Sequence, residues 1–288
     1  MKNEFLITAP AKINLGLKVL PKREDGFHAI ESIFSTISLC DELIIKVLPG
    51  KNECFVECDS MRLPLQNTIN LTYDAFRKLV DKDLPKMHVY IKKCIPSGGG
   101  LGGGSSDAAS FLFALNEMCN TKFTKEQFYK VASLVGSDVF FFIDCKLNNS
   151  SCAIVTGRGE VIQPIHKRKD LHCLMVFPGV HSSTKEAYSL VDEFYESGKK
   201  MEYPSLDKLE SIYNGSILDW NFVNTFTSVI SEKYSKIKYA ILDLKKNGAL
   251  YTDMSGSGST VFGVFLSDCD LKNARNALSS SWNVCTCS

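Results

Sequence analysis

The sequence predicts an α+β protein built from two domains, and three observations carry that prediction. Apolar residues recur with period two in some stretches and at helical spacing in others, and the two kinds are mixed rather than strictly alternating, which disfavours a doubly wound sheet. A glycine-rich turn joins a strand-like run to a strongly helical one in the first half. A hairpin pattern then closes that half, and 288 residues accommodate two domains of ordinary size. The boundary falls after residue 165, giving domains 1–165 and 166–288.

From Lys12 to Val19, Ile13, Leu15, Leu17 and Val19 share one face while Lys12, Asn14, Gly16 and Lys18 share the other. This is a strand on which Lys12 and Asn14 project together. Asp25-Gly26 signals a turn into a run over Phe27 to Leu39, and the alternation of Leu43, Ile45 and Val47 marks a further strand. Leu71, Ala75, Phe76 and Leu79 predict a helix over 70–80, and a strand follows at 88–95. After the glycine turn, Ala108, Phe111, Leu112, Leu115 and Met118 predict a helix that Ser105 or Ser106 would cap. Thr124 and Gln127 form a capping box, Phe123 can staple onto Phe128, and Gly136 ends that helix. Beyond Ser137-Asp138 and the apolar run 139–143, residues 152–165 read as a hairpin around Gly157-Arg158-Gly159. The second half predicts a strand at 171–177 that breaks at Pro178-Gly179. Helices at 184–195, 205–209, 221–231 and 237–247 follow, with a strand at 260–266.

A hydrophobic content of 44% with 23% charged residues describes a soluble globular chain. The net charge is +1 and the basic residues are dispersed, so no footprint for nucleic acid or an anionic membrane exists and a small-molecule substrate is favoured. Eleven cysteines form no C-x-x-C pair, and their odd number argues for reduced thiols in the cytoplasm. Neither Cys54 with Cys58 nor Cys285 with Cys287 has the second pair that structural zinc needs. The N-terminus lacks the apolar core of a signal peptide, and the run 139–143 is too short to span a bilayer.

Residues 96–107 read Pro-Ser-Gly-Gly-Gly-Leu-Gly-Gly-Gly-Ser-Ser-Asp. Glycine lets backbone N–H groups approach an anion, and a helix N-terminus supplies unpaired donors and a favourable dipole end. Such a turn suits a triphosphate better than it suits a linker. Gly98, Gly100 and Gly103 formally satisfy G-x-G-x-x-G, yet the chain about 20 residues on is a helix and not a strand ending in an acidic residue, so a dinucleotide fold is disfavoured. Ser105 follows Gly104 where the Walker motif needs lysine. A nucleotide triphosphate site of a third kind is left.

Three segments, Pro10-Ala-Lys12-Ile-Asn14, Pro96 to Ser106 and Met254-Ser-Gly-Ser-Gly-Ser259, resemble in order and spacing the three motifs of the GHMP kinases, the galactokinase, homoserine kinase, mevalonate kinase and phosphomevalonate kinase superfamily. Asp25-Gly-Phe-His28, Gly136-Ser-Asp138-Val and Pro178 to Thr184 look like the branch that phosphorylates cytidine diphosphate methylerythritol in the non-mevalonate isoprenoid pathway. The resemblance covers nearly the whole chain. It implies an N-terminal ATP-binding domain, a ferredoxin-like C-terminal domain and an active site in the cleft between them. The implied reaction moves the γ-phosphoryl group of ATP to the 2-hydroxyl of the methylerythritol unit. Mevalonate or homoserine phosphorylation, and a catalytically silent nucleotide-binding relative, stay open as alternatives.

The resemblance also assigns residues. Asp138 matches the catalytic base and Lys12 the lysine that orients it and stabilises developing charge. Pro96, Ser97, Gly98, Gly99, Gly100, Leu101, Gly102, Gly103, Gly104, Ser105 and Ser106 would hold the phosphates, with Asn70 and Lys93 near the nucleotide. Phe27 and Tyr188 are candidate stacking faces for cytosine, His28 would read its polar edges, Asn14 would lie near the methylerythritol or its phosphates, and Thr184 would help close the pocket. Magnesium follows from the chemistry, with no protein ligand assigned. The expected partner is the small-molecule substrate alone, and the expected state a monomer or weak homodimer. The tract Trp220-Asn221-Phe222 departs from the family pattern and receives no role.

Overall fold

The computed structural model describes residues 4–288. Its contacts divide the chain into two compact units. One holds residues 4–11, 39–97 and 102–149; the other holds 12–38, 98–101 and 150–288. Two long strands, β1 (Glu4–Lys22) and β2 (His28–Lys51), pair with each other and contribute to both units.

In the first unit, the far half of β2 runs antiparallel to β4 (Pro85–Lys92), with Leu43 opposite Ile91 and Val47 opposite Met87. The short strand β3 (Cys54–Cys58) lies parallel to β4. Four helices complete this unit: α1 (Thr68–Val80), α2 (Gly103–Met118), α3 (Lys125–Val135) and α4 (Ser137–Leu147). Phe123 joins α1 to α3, lying 4.8 Å from Phe76 and edge-on to Phe128 at 5.6 Å. The predicted capping box of Thr124 and Gln127 is present.

In the second unit, the near half of β2 pairs with β5 (Cys152–Gly157), which turns back through β6 (Val161–Pro164) as the expected hairpin. A separate antiparallel sheet has the order β10-β7-β9-β8, from β7 (His172–Phe177), β8 (Tyr251–Met254), β9 (Val261–Phe265) and β10 (Asn283–Cys287). The helices are α5 (Thr184–Glu196), α6 (Leu209–Asn214), α7 (Thr225–Lys233), α8 (Ser235–Lys246) and α9 (Asp268–Leu278).

The mixed α+β class is as expected, while several element limits differ for physical reasons. β2 is one strand, not two, because Asp41, which resembles a loop residue in sequence, is buried inside it and receives backbone N–H groups from Cys94 and Ile95. Those same bonds draw residues 93–95 out of β4, so that strand ends at Lys92. Asn67 accepts the N–H groups of Ile69 and Asn70, so α1 starts before Asn70 and includes it. Gly102, with φ 69°, stands at the N-cap of α2, and Ser105 and Ser106 lie in its first turn instead of capping it. The run 139–143 belongs to α4, with Val139, Phe141, Phe142 and Ile143 buried. α7 begins at Thr225 and not at 221, since Val223 is held extended by accepting the N–H of Leu17. Strands β3, β8 and β10 and helix α9 are additional. Among the described residues no two of the eleven cysteines are joined in a disulfide, and no helix is long and apolar enough to cross a membrane.

Candidate active site

The face of β1 on which Lys12 and Asn14 were expected to project together is buried in the second unit, where Lys12 is 3% exposed and Asn14 fully enclosed. The Lys12 ammonium donates to Asn14 Oδ1 at 2.7 Å and to the Gly100 carbonyl at 3.1 Å, and lies 4.8 Å from the Phe34 ring centre. Its backbone N–H donates to the Leu101 carbonyl. Ser255 donates to the same Gly100 oxygen at 2.9 Å, and Thr260 N–H to the Gly99 carbonyl at 3.2 Å. Only glycine fits at position 100: its φ is +76°, and an added Cβ would stand 1.9 Å from the Ser255 carbonyl oxygen. Residues from all three sequence motifs therefore meet around Gly100. The loop before α5 joins them, because Ser259 donates to the Val180 carbonyl and Thr184 Oγ1 lies 3.2 Å from Ser257 Oγ.

The neighbouring stretch of the glycine turn belongs to the first unit. The N-terminus of α2 has no side-chain cap, so its first-turn N–H groups form the anion-attracting end of a helix. Gly136 packs against that turn, with the position of its missing Cβ 3.9 Å from Ser105 Oγ. Asp138, two residues on, sits in the first turn of α4, half-buried. Beside these elements a groove of about 560 Å³ is lined by Phe55, Cys58, Met61, Asn67, Asn70 and Tyr90, among others. Asn70 faces this groove while its amide donates to the Cys54 carbonyl and accepts from Asn67. Ser97 contacts Met61 Sδ at 3.0 Å. Lys93 is held by two carboxylates, Asp41 and Asp107.

The expected substrate residues lie in the second unit. His28 is buried, its Nδ1 2.8 Å from the Leu20 carbonyl and its Nε2 3.3 Å from Asp192. Tyr188 stacks on the His28 ring at 4.9 Å and meets Phe226 edge-on. Phe27 is 49% exposed, with the Arg158 guanidinium 3.5 Å from its ring centre. Asn14 donates its amide to Ser32 Oγ, which donates to the Gly16 carbonyl.

Models of the GHMP kinases N terminal domain and the GHMP kinases C terminal region match residues 67–145 and 208–284. The 4-diphosphocytidyl-2-C-methyl-D-erythritol kinase of Treponema pallidum (strain Nichols) is 34% identical over 285 residues, which span 97% of this chain and 96% of the relative. The chain belongs to the 4-diphosphocytidyl-2-C-methyl-D-erythritol kinase family. The Thermotoga maritima member is 38% identical over 257 residues, covering 88% of this chain and 90% of its own. A crystal structure of 4-(cytidine 5'-diphospho)-2C-methyl-D-erythritol kinase superposes with a TM-score of 0.77 at 26% identity, covering 98% of each chain. Homoserine kinase from Cytophaga hutchinsonii shares the fold at 14% identity and a TM-score of 0.69, covering 99% of this chain and 94% of its own.

The sequence singles out nothing near Trp220, yet Asn224 is fully buried there and its amide donates to the carbonyls of Met254 and Gly256. It holds the third motif's loop. An asparagine near the start of the predicted helix 221–231 was the available signal, and it announces a cap rather than a brace 30 residues away. Ser32, Asp41 and Asp107 were likewise unassigned.

Proposed function

We propose that this protein transfers the γ-phosphoryl group of ATP to the 2-hydroxyl of 4-diphosphocytidyl-2-C-methyl-D-erythritol, releasing the 2-phosphate and ADP. The observation that carries the reading is the junction at Gly100, where Lys12 and Ser255 donate to one carbonyl of the phosphate-type loop. Family members of similar length, matched over nearly the whole chain, support the substrate.

Phosphoryl transfer asks for position and charge more than for covalent chemistry. In this reading residues 96–106 and the uncapped start of α2 cradle the polyphosphate, and the groove beside Asn70 takes the nucleotide base. Asp138 accepts the proton of the attacking hydroxyl, and the ammonium of Lys12 offsets charge gathering on the transferred group. Asn14 steadies Lys12 next to the acceptor. Phe27, Tyr188 and His28 form the cytidine end, where Phe27 keeps one ring face open opposite Arg158, and Thr184 closes that end against Ser257. We assign residues 1–165 to the nucleotide domain and 166–288 to the C-terminal domain.

Among the described residues no group of three or more His, Cys, Asp or Glu side chains is disposed around a metal. The hydroxyl oxygen of Ser106, buried and without a hydrogen-bond partner, is nevertheless a hard donor suited to magnesium beside the loop. Such an ion would be held mainly by phosphate oxygens and water, and when bound it neutralises charge on the β- and γ-phosphates.

Asp138→Asn tests the assignment. ATP affinity should stay near that of the wild type while kcat falls by about 10²- to 10⁴-fold, the usual range for losing a general base. Unchanged turnover would remove Asp138 from the chemistry.

A further inference from the structure

Lys93 follows β4 and was expected near the nucleotide, but its ammonium is committed elsewhere. It donates to Asp41 Oδ2 at 2.5 Å and to Asp107 Oδ2 at 2.8 Å. The Lys93 side chain is 10% exposed, that of Asp107 is 3% and that of Asp41 is wholly buried. The second oxygen of Asp41 accepts the N–H groups of Cys94 and Ile95 at 2.7 and 2.8 Å. The second oxygen of Asp107, in the first turn of α2, has no partner. A Cβ on Gly103 would stand 3.1 Å from the Lys93 ammonium, so the head of the helix rests directly on the cation. Burial, together with the neighbouring carboxylate of Asp41, pushes the Asp107 carboxyl up to about 7 even though Lys93 pulls the other way.

Stability alone gives a poor reason for this cluster, because replacing buried ions with apolar side chains is often neutral or favourable. Its placement gives a better one. Asp41 grips the chain where the glycine turn begins, at residues 94 and 95, and Asp107 grips it where the turn ends, inside α2. Lys93 ties the two grips together. We propose that Asp41, Lys93 and Asp107 form a clamp that fixes the span of the glycine turn, so that Lys93 and Asp107 are positioning residues for the polyphosphate instead of ligands to it. This rests on the kinase reading above.

Asp107→Ala is the informative variant, since it leaves a one-to-one pair of Asp41 and Lys93 and strands no charge. Binding of ATP and of adenosine is measured by calorimetry on the full chain. The clamp predicts that Asp107→Ala weakens ATP by about tenfold, the scale of one lost charged hydrogen bond, and leaves adenosine unchanged, because only the phosphates use the turn. Asp107→Asn, whose amide oxygen still accepts from Lys93, should restore ATP affinity to within about threefold of the wild type. Unchanged or tighter ATP binding by Asp107→Ala would mean that a freed Lys93 reaches the nucleotide itself, and would overturn the clamp. Equal losses for ATP and adenosine would overturn it too, as a general structural defect. Wild-type protein that binds no ATP would instead overturn the kinase reading, and the clamp with it.

Discussion

Phe27 presents one ring face to Arg158 and is half-exposed, an arrangement suited to a flat base arriving on its open side. Phe27→Ala should raise KM for the cytidine substrate about five- to hundredfold, the equivalent of one lost stacking face, with little change in kcat. An unmoved KM would show that the ring supports the loop and not the base. Lys12 and Asn14 were legible because alternation along one strand puts both on one face, and the structure joins them by a 2.7 Å bond. Their burial was not legible, because the groups that cover them come from Gly100 and Ser255, distant in sequence. Asn224 escaped for the same reason: both carbonyls it braces lie beyond residue 250.

At the scale of elements, the glycine turn carries the sharpest prediction. Gly100→Ala meets the Ser255 carbonyl and an unfavourable φ together, so it should cost about 2 kcal/mol or more of stability and weaken ATP binding. Gly104, which is helical and would bring a methyl only to 3.6 Å from Thr68, should accept alanine with no loss of stability. Thermal melts of the two variants decide the matter, and equal melting temperatures would contradict the packing described. A second element-scale prediction concerns β8. Asp253 is buried beside Tyr251 and Thr227, and burial pushes its carboxyl up to about 6. A raised folded-state value means that the folded chain binds this proton more tightly than the unfolded chain. The stability that proton confers is full below about pH 4 and disappears as pH rises through about 6. Asp253→Asn should therefore gain stability relative to the wild type by up to about 3 kcal/mol between pH 4 and pH 7 in urea titrations. A difference that does not change with pH would refute the burial argument. Helices with strong caps, such as α3, were readable from local chemistry. The continuity of β2 through Asp41 and the helical form of α4 were not, because a buried aspartate resembles a loop and a run of phenylalanines carries no period.

For the whole molecule, the mixed order of strands and helices gave the fold class, while the motifs near residues 12, 100 and 255 gave the family. Composition and charge narrowed the substrate only to a small molecule, so the choice among alcohols rests on similarity and on the aromatic residues of the second unit. The most direct measurement is ATP-dependent turnover by purified protein on cytidine diphosphate methylerythritol, mevalonate and homoserine in parallel, with the phosphorylated product identified by phosphorus NMR. We expect ADP release with the cytidine substrate, a new monoester on its 2-hydroxyl, and little turnover of the other two. ATP binding without ADP release, or a preference for mevalonate or homoserine, would refute the proposed reaction.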